Sequence, residues 1–287
     1  MASWPESFIA EAAERRVALF IGAGISASAF SEHGESFPTW PSLLNGLSDV
    51  LPKKTEKDYT KKLVRRGQLL DAAQILVDSL PQADLTTAIR QHIPPNQIVH
   101  SSVYEDLLKL DTKITITTNY DRLIEQNFEH FSDGKAHNLC KYNQDHALDD
   151  IRSPIRSILK AHGCITEPSK IILSKASYFH ARRDFPGFFS LLTSIMTLNT
   201  MLFVGYSFAD PDIQLLLENV NMAVKCEHSH FAIVPKFEHR ALRDVAKETY
   251  NIEFIEYPVG DYKKARDLIT ELVDEVGVFR QKRGIAQ

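Results

Sequence analysis

Hydrophobic residues in this chain form short continuous runs, separated by longer stretches of helical period. Val17-Ala18-Leu19-Phe20-Ile21 is apolar throughout, as expected of a strand covered on both faces of a parallel sheet. Ile114 to Thr118, Ile155 to Lys160, Met201 to Val204, His230 to Val234 and Ile252 to Ile255 share that character, and Ile171-Ile172-Leu173 is a shorter run. Helical spacing predicts helices over about 5–16, 43–51, 68–80, 103–110, 121–129, 186–197 and 261–279. Pro5 sits near the start of the first, Ser42 is placed to cap the second, and Asp210-Pro211-Asp212 opens another. This alternation predicts an α/β fold: a Rossmann-like, doubly wound parallel sheet of about six strands. The stretch from about 52 to 110 has no strand-like run and reads as a helical insertion between the first two strands. Residues 1–287 then form one domain carrying that insertion.

Chemistry collects where the strands end. Gly22-Ala23-Gly24-Ile25-Ser26, Thr117-Thr118-Asn119-Tyr120-Asp121, His162-Gly163 and Gly205-Tyr206-Ser207 each follow an apolar run. The carboxyl ends of parallel strands share one sheet edge, so these four segments can converge on one cleft. Glycines at 22 and 24 allow a tight turn and a close backbone approach to phosphate. A plainer reading of each segment remains open. Asn119 and Asp121 also suit caps of the following helix, His162 a core histidine, and Gly205 and Ser207 an ordinary turn.

Composition narrows the partners. With 287 residues, 44% of them hydrophobic, the chain can bury a substantial core, and a net charge of −4 argues against direct nucleic-acid binding. Lysines at 53, 54, 57, 61 and 62 read as a solvated face. The three cysteines, Cys140, Cys164 and Cys226, form no Cys-x-x-Cys pair, and their odd number suits a reducing compartment. Cys140 and Cys164 read as small buried hydrophobes. Histidines such as His33 lack metal-ligand spacing, except for His228-x-His230, so no metal is expected. Neither a signal peptide nor a membrane span is expected, which places the chain in the cytoplasm.

In this order, the four strand-end segments resemble the NAD-binding and catalytic motifs of the sirtuin superfamily. Phe37-Pro38-Thr39-Trp40 and the segment Val204 to Asp212, which includes Ala209, resemble the bacterial sirtuin-like branch of anti-phage defence. Proteins of that branch are NAD⁺ hydrolases that deplete the cell's NAD⁺. Deacylating sirtuins carry a zinc module on two cysteine pairs, and here only a short stretch separates Gly163 from Ile171. The resemblance therefore implies NAD⁺ as substrate, no zinc module, and hydrolysis of the nicotinamide–ribose bond. It assigns Asn119 to the ribose or the attacking water, Asp121 to the nicotinamide amide, and His162 to the ribose hydroxyls. Gly22, Ala23, Gly24 and Ser26 would cradle the pyrophosphate, with Thr118 beside them. Gly205 and Ser207 would approach the adenosine half, and Asp212 would cap its helix. An NAD-dependent protein deacylase and a non-catalytic NAD or ADP-ribose sensor are the alternatives. The resemblance also implies a homo-oligomer under a regulatory partner, a HerA-type ATPase being one such partner in the branch.

Overall fold

The computed structural model describes residues 4–29, 37–132, 134, 137–208, 210–223 and 228–285. His33, Ser36, Ala209 and Cys226 lie outside the described residues. The chain opens with α1 (Glu6–Ala13), β1 (Val17–Ile21) and the short α2 (Ala23–Ser28). Five helices follow: α3 (Trp40–Ser48), α4 (Lys54–Arg65), α5 (Leu69–Ser79), α6 (Gln82–His92) and α7 (Ser102–Lys109). Then come β2 (Ile114–Thr117), α8 (Leu123–Phe131), β3 (Asn138–Lys141), α9 (Ala147–Arg152) and β4 (Ser157–Lys160). A 3-10 turn (Pro168–Lys170) leads into α10 (Lys175–Asp184), α11 (Pro186–Leu198) and β5 (Thr200–Val204). The chain closes with α12 (Pro211–Ala223), β6 (His230–Pro235), α13 (Arg240–Tyr250), β7 (Ile252–Tyr257) and α14 (Tyr262–Arg283).

All seven strands are parallel, in the order β3-β4-β2-β1-β5-β6-β7. The fold is a doubly wound α/β sheet with two cores. Along β1, Val17, Leu19 and Ile21 face one core, while Ala18 and Phe20 face the other. The period-2 alternation of strand side chains feeds both layers at once, which is why the strand is apolar throughout. α1, α3 to α8 and α14 cover the first face, and α10, α11 and α12 cover the second. No helix among the described residues is long and apolar enough to cross a membrane.

Several elements differ from the sequence expectation. The seventh strand, β3, is an edge strand whose residues Asn138, Leu139 and Lys141 are only half-buried, so its apolar signal is thin. The second expected helix begins earlier, at Trp40, with Thr39 extended before it and Pro41 in its first turn, where a missing N–H costs nothing. Ser42 therefore lies inside that helix and does not cap it. Ile171-Ile172-Leu173 is buried but forms no strand, the Ile172 amide bonding instead to the His162 carbonyl at 3.0 Å. α10 follows a Ser174–Ser177 capping box that the sequence reading passed over. The lysine-rich stretch is solvated, with Lys57 and Lys61 both pairing with Asp49.

One buried side chain ties the helical layers together. The Arg280 guanidinium donates to the carbonyls of Ala12, Ala13 and Leu110, each at 3.0 Å. It thereby bonds carbonyls where α1 and α7 end, the Ala12 carbonyl also accepting the Arg15 amide at 3.2 Å.

The β1–α2 turn rests directly on the end of β5. The amides of Gly22 and Gly24 donate to the carbonyls of Val204 (2.9 Å) and Gly205 (2.8 Å). A Cβ on Gly22 would lie 2.4 Å from the Gly205 oxygen, and one on Gly205, whose φ is +61°, would lie 2.5 Å from the Ile25 nitrogen. Gly205→Ala should therefore destabilise the fold by about 3 kcal/mol, combining left-handed strain with backbone overlap. Gly277→Ala, in mid-α14 with open space around it, should stabilise by ~1 kcal/mol. Urea midpoints of the two variants should move in opposite directions; equal shifts would contradict the contact described.

Candidate active site

A cavity of about 360 Å³ opens along the carboxyl edge of the sheet. It is lined by residues following β1 (Ala23, Gly24), β2 (Thr118 to Asp121), β4 (His162) and β5 (Gly205 to Ser207). β6 and β7 contribute Ile233, Pro235 and Tyr257, and the helices after β1 add an apolar wall of Trp40, Leu43 and Leu69. The chain leaves β1 toward β2 on one side and later returns to β5 on the other. The cavity thus sits at the topological switch point, where open α/β sheets bind ligands.

Of the residues expected from sequence, Ala23, Gly24, Thr118, Asn119, Asp121, His162, Gly205 and Ser207 all line this cavity. Gly22 and Ser26 stand behind it. Gly22 is fully engaged with β5, and the amide of Gly24, though at the cavity, is already bonded to Gly205. Ser26 is buried, its hydroxyl accepting from Asn119 Nδ2 at 3.0 Å and lying 3.3 Å from the Tyr104 hydroxyl. Asp212 is not the helix cap. Asp210 Oδ1 accepts the Asp212 amide at 3.0 Å, while Asp212 itself reaches Arg182 at 3.4 Å.

Asn119 is fixed from two directions. Its amide N–H donates to Thr117 Oγ1, whose hydroxyl donates to the Ile21 carbonyl, and its side-chain NH₂ is held by Ser26. Asn119 Oδ1 is left buried with no partner, as are the indole N–H of Trp40 and the hydroxyl of Tyr206, both on residues that line the cavity. Buried polar atoms without partners are costly, and three on one cavity suit a polar ligand that satisfies them. Asp121 precedes Arg122, the N-cap of α8, and its Oδ1 accepts the Leu123 amide at 3.0 Å. Burial pushes its carboxyl pKa up, opposed by Lys160, the Leu123 amide and Ser26.

Beneath Asp121 lies a lysine that the sequence reading took as part of a strand. Lys160 is 0% exposed; its ammonium donates to the Asp121 carbonyl and to Glu125 Oε1 at 2.9 Å. Burial works against its charge, but Glu125, Cys164 and Asp121 outweigh burial and raise its pKa. The buried cation thus anchors the loop that carries Asn119 and Asp121.

His162 occupies the turn after β4, which Gly163 completes with a φ of +83°. Its Nδ1 lies 3.4 Å from the Tyr178 hydroxyl and its Nε2 lies 3.3 Å from Asp210 Oδ2, to which Tyr178 also donates at 3.3 Å. Burial pulls the imidazole pKa down and Asp210 opposes it, leaving the net direction downward. Sequence reasoning missed Tyr178 and Asp210 as site residues. The capping box at Ser174 and the Asp-Pro helix start were the signals available for them. No local signal marks Tyr104.

Elsewhere, Cys140, His146 and Asp150 bring donor atoms within 4.8 Å of one another. His146 and Asp150 form an i,i+4 surface pair at 2.6 Å, which accounts for their proximity without an ion. Cys140 and Cys164 are buried free thiols.

Residues 113–255 match the SIR2-like domain family. The chain is 26% identical over 269 residues to an NAD(+) hydrolase ThsA of Cytobacillus dafuensis, covering 92% of this chain and 50% of that protein. It is 25% identical over 266 residues to an NAD(+) hydrolase ThsA of Acinetobacter baumannii, covering 89% and 50%. Defense-associated sirtuin 2 of Bacillus subtilis is 23% identical over 216 residues, covering 73% of this chain and 20% of that protein. The chain spans about half the length of the curated hydrolases it matches. The SIR2-like stretch carries the strand-end segments of β2, β4 and β5.

Removing the buried lysine should expose its role. Lys160→Met leaves Glu125 and Asp121 without their counter-charge and should cost about 3–5 kcal/mol, whereas Lys160→Met with Glu125→Leu should recover most of that loss. Chemical denaturation measures both; equal losses in the single and double variants would contradict this account.

Proposed function

We propose that this chain is an NAD⁺ hydrolase that cleaves the nicotinamide–ribose bond to give nicotinamide and ADP-ribose, acting in the cytoplasm as an effector of anti-phage defence. One observation carries the reading: Asn119, Asp121 and His162, distant in sequence, line a single cavity at the switch point of a SIR2-like domain. Similarity to NAD(+) hydrolases over most of the chain supports it.

The chemistry asks little of the protein as an acid. Nicotinamide leaves as a neutral molecule from a pyridinium, so no group need protonate it, unlike the leaving oxygen of an ordinary glycoside. The C1′–N bond breaks with its electron pair going to the ring nitrogen, and a water oxygen bonds to C1′ and sheds a proton. The site must stabilise an oxocarbenium-like centre, hold the water and accept that proton. The unpartnered Asn119 Oδ1 suits a water or ribose hydroxyl, since its amide is already oriented by Ser26. Burial lowers the pKa of the His162 imidazole, which favours its neutral, proton-accepting form. Asp121, on the same loop as Asn119, suits the nicotinamide carboxamide. The apolar wall of Trp40, Leu43 and Leu69 suits the nicotinamide ring itself.

Asn119→Ala and His162→Ala should each lower nicotinamide release by at least ~100-fold, with near wild-type melting. Release is followed by chromatography on purified protein; full activity in both variants would exclude this site.

We also propose that the chain works as a homo-oligomer restrained by a regulatory protein, a HerA-type ATPase being one candidate. A catalyst that destroys NAD⁺ needs such restraint. Light scattering with and without the products of neighbouring genes, alongside cleavage rates, tests this. A mass above the monomer, with a rate that changes on adding the partner, is expected; a monomer fully active alone would oppose it.

A further inference from the structure

We infer that Asp210 is a positioning residue for the proposed hydrolysis: held by the Asp212 amide and Tyr178, its carboxylate lies beside His162 Nε2 and stabilises the imidazolium that forms when the ring accepts the proton shed by water or a ribose hydroxyl. This rests on the reading of the site given above.

The geometry fixes the carboxylate first. Asp210 is buried, and its Oδ1 is committed to the Asp212 amide at the head of α12. Its Oδ2 is therefore held between the Tyr178 hydroxyl and His162 Nε2, each at 3.3 Å. Tyr178 has a single O–H, which it can give to Asp210 Oδ2 or to Nδ1, 3.4 Å away, but not to both. The contact of the carboxylate with Nε2 is an ion-pair distance, so its effect on the ring is electrostatic. When the ring takes a proton, the imidazolium forms beside a carboxylate already in place, with no group needing to move.

Other titratable groups surround the ring. Tyr178 on α10, Tyr120 after β2 and Tyr206 after β5 all have pKa values raised by burial and stay protonated. Lys160, on β4 itself, is turned to Asp121 and Glu125, and Asp121 lies elsewhere on the cavity wall. Asp212 on α12 is the competing group, because burial pushes its carboxyl up to about 6, opposed by Arg182. A pH experiment must separate the two aspartates.

The test is the pH dependence of nicotinamide release in wild type, Asp210→Asn, Asp210→Glu and Asp212→Asn. The Asn variant keeps an Oδ1 acceptor for the Asp212 amide, so α12 retains its cap. Asp210→Asn should lower kcat about 100-fold with KM changed little, and Asp210→Glu should recover part of the loss. The acidic limb reports protonation of His162. Losing the carboxylate removes the neighbour that raises the imidazole pKa, so the limb should move to lower pH. Asp212→Asn should leave the limb in place. The same shift in Asp212→Asn, or an unmoved limb and kcat in Asp210→Asn, would overturn the inference. A readout independent of turnover is the NMR titration of the His162 Cε1–H, assigned by its absence in His162→Ala. It should move to lower pH in Asp210→Asn. If wild type cleaves no NAD⁺ yet this titration shifts, the proposed function fails and the contact stands. If NAD⁺ is cleaved and the titration is unmoved, the positioning role alone fails.

Discussion

The contact on which the rest depends is that between two pieces of backbone, the turn after β1 and the end of β5. Two hydrogen bonds, Gly22 to Val204 and Gly24 to Gly205, join them at a separation no side chain would permit. This is the point where the sheet changes direction, with β2, β4 and β3 running outward on one side and β5, β6 and β7 on the other. Because the two loops are locked together, the strand ends on either side keep a fixed spacing. Thr118, Asn119, Asp121 and His162 can then face Gly205, Tyr206 and Ser207 across one cavity. The glycines, which first suggest a phosphate cradle, are explained in the fold by this packing. Their amides at 22 and 24 are already bonded to protein.

Two buried polar groupings support that cavity, and they divide the work. Lys160, Glu125 and the Asp121 carbonyl lie beneath the β2 loop and hold it down. Asp210, Tyr178 and His162 form a second group on the cavity wall. Isolated charges at these depths would be strongly unfavourable, and each here has a partner of complementary chemistry. A third arrangement, Tyr104–Ser26–Asn119, uses neutral groups only and leaves one amide oxygen unsatisfied. The cavity is thus rigid in its supports and incomplete only in the acceptors and donors that a ligand could meet.

What the sequence determined by itself was the pattern whose physical cause is local. The buried strands announce themselves because side chains alternate between two cores, so Val17 to Ile21 in β1 and Met201 to Val204 in β5 are all apolar. Parallel strands put their ends on one edge, so the segments at 22–26, 118–121, 162–163 and 205–207 could be placed together without any coordinates. β3 escaped because an edge strand is half-exposed and its residues carry little apolar signal. Tertiary structure alone decided which polar residues face the cavity and which stand behind it. Ser26 and Asn119, 93 positions apart, meet only because β1 and β2 are neighbours. Lys160 does end β4, but only the tertiary structure puts Glu125 beside its ammonium. Tyr178 and Asp210 reach His162 from two separate helical segments, and Asp210 rather than Asp212 takes the cap. Such pairings depend on distances between elements, which no local periodicity encodes.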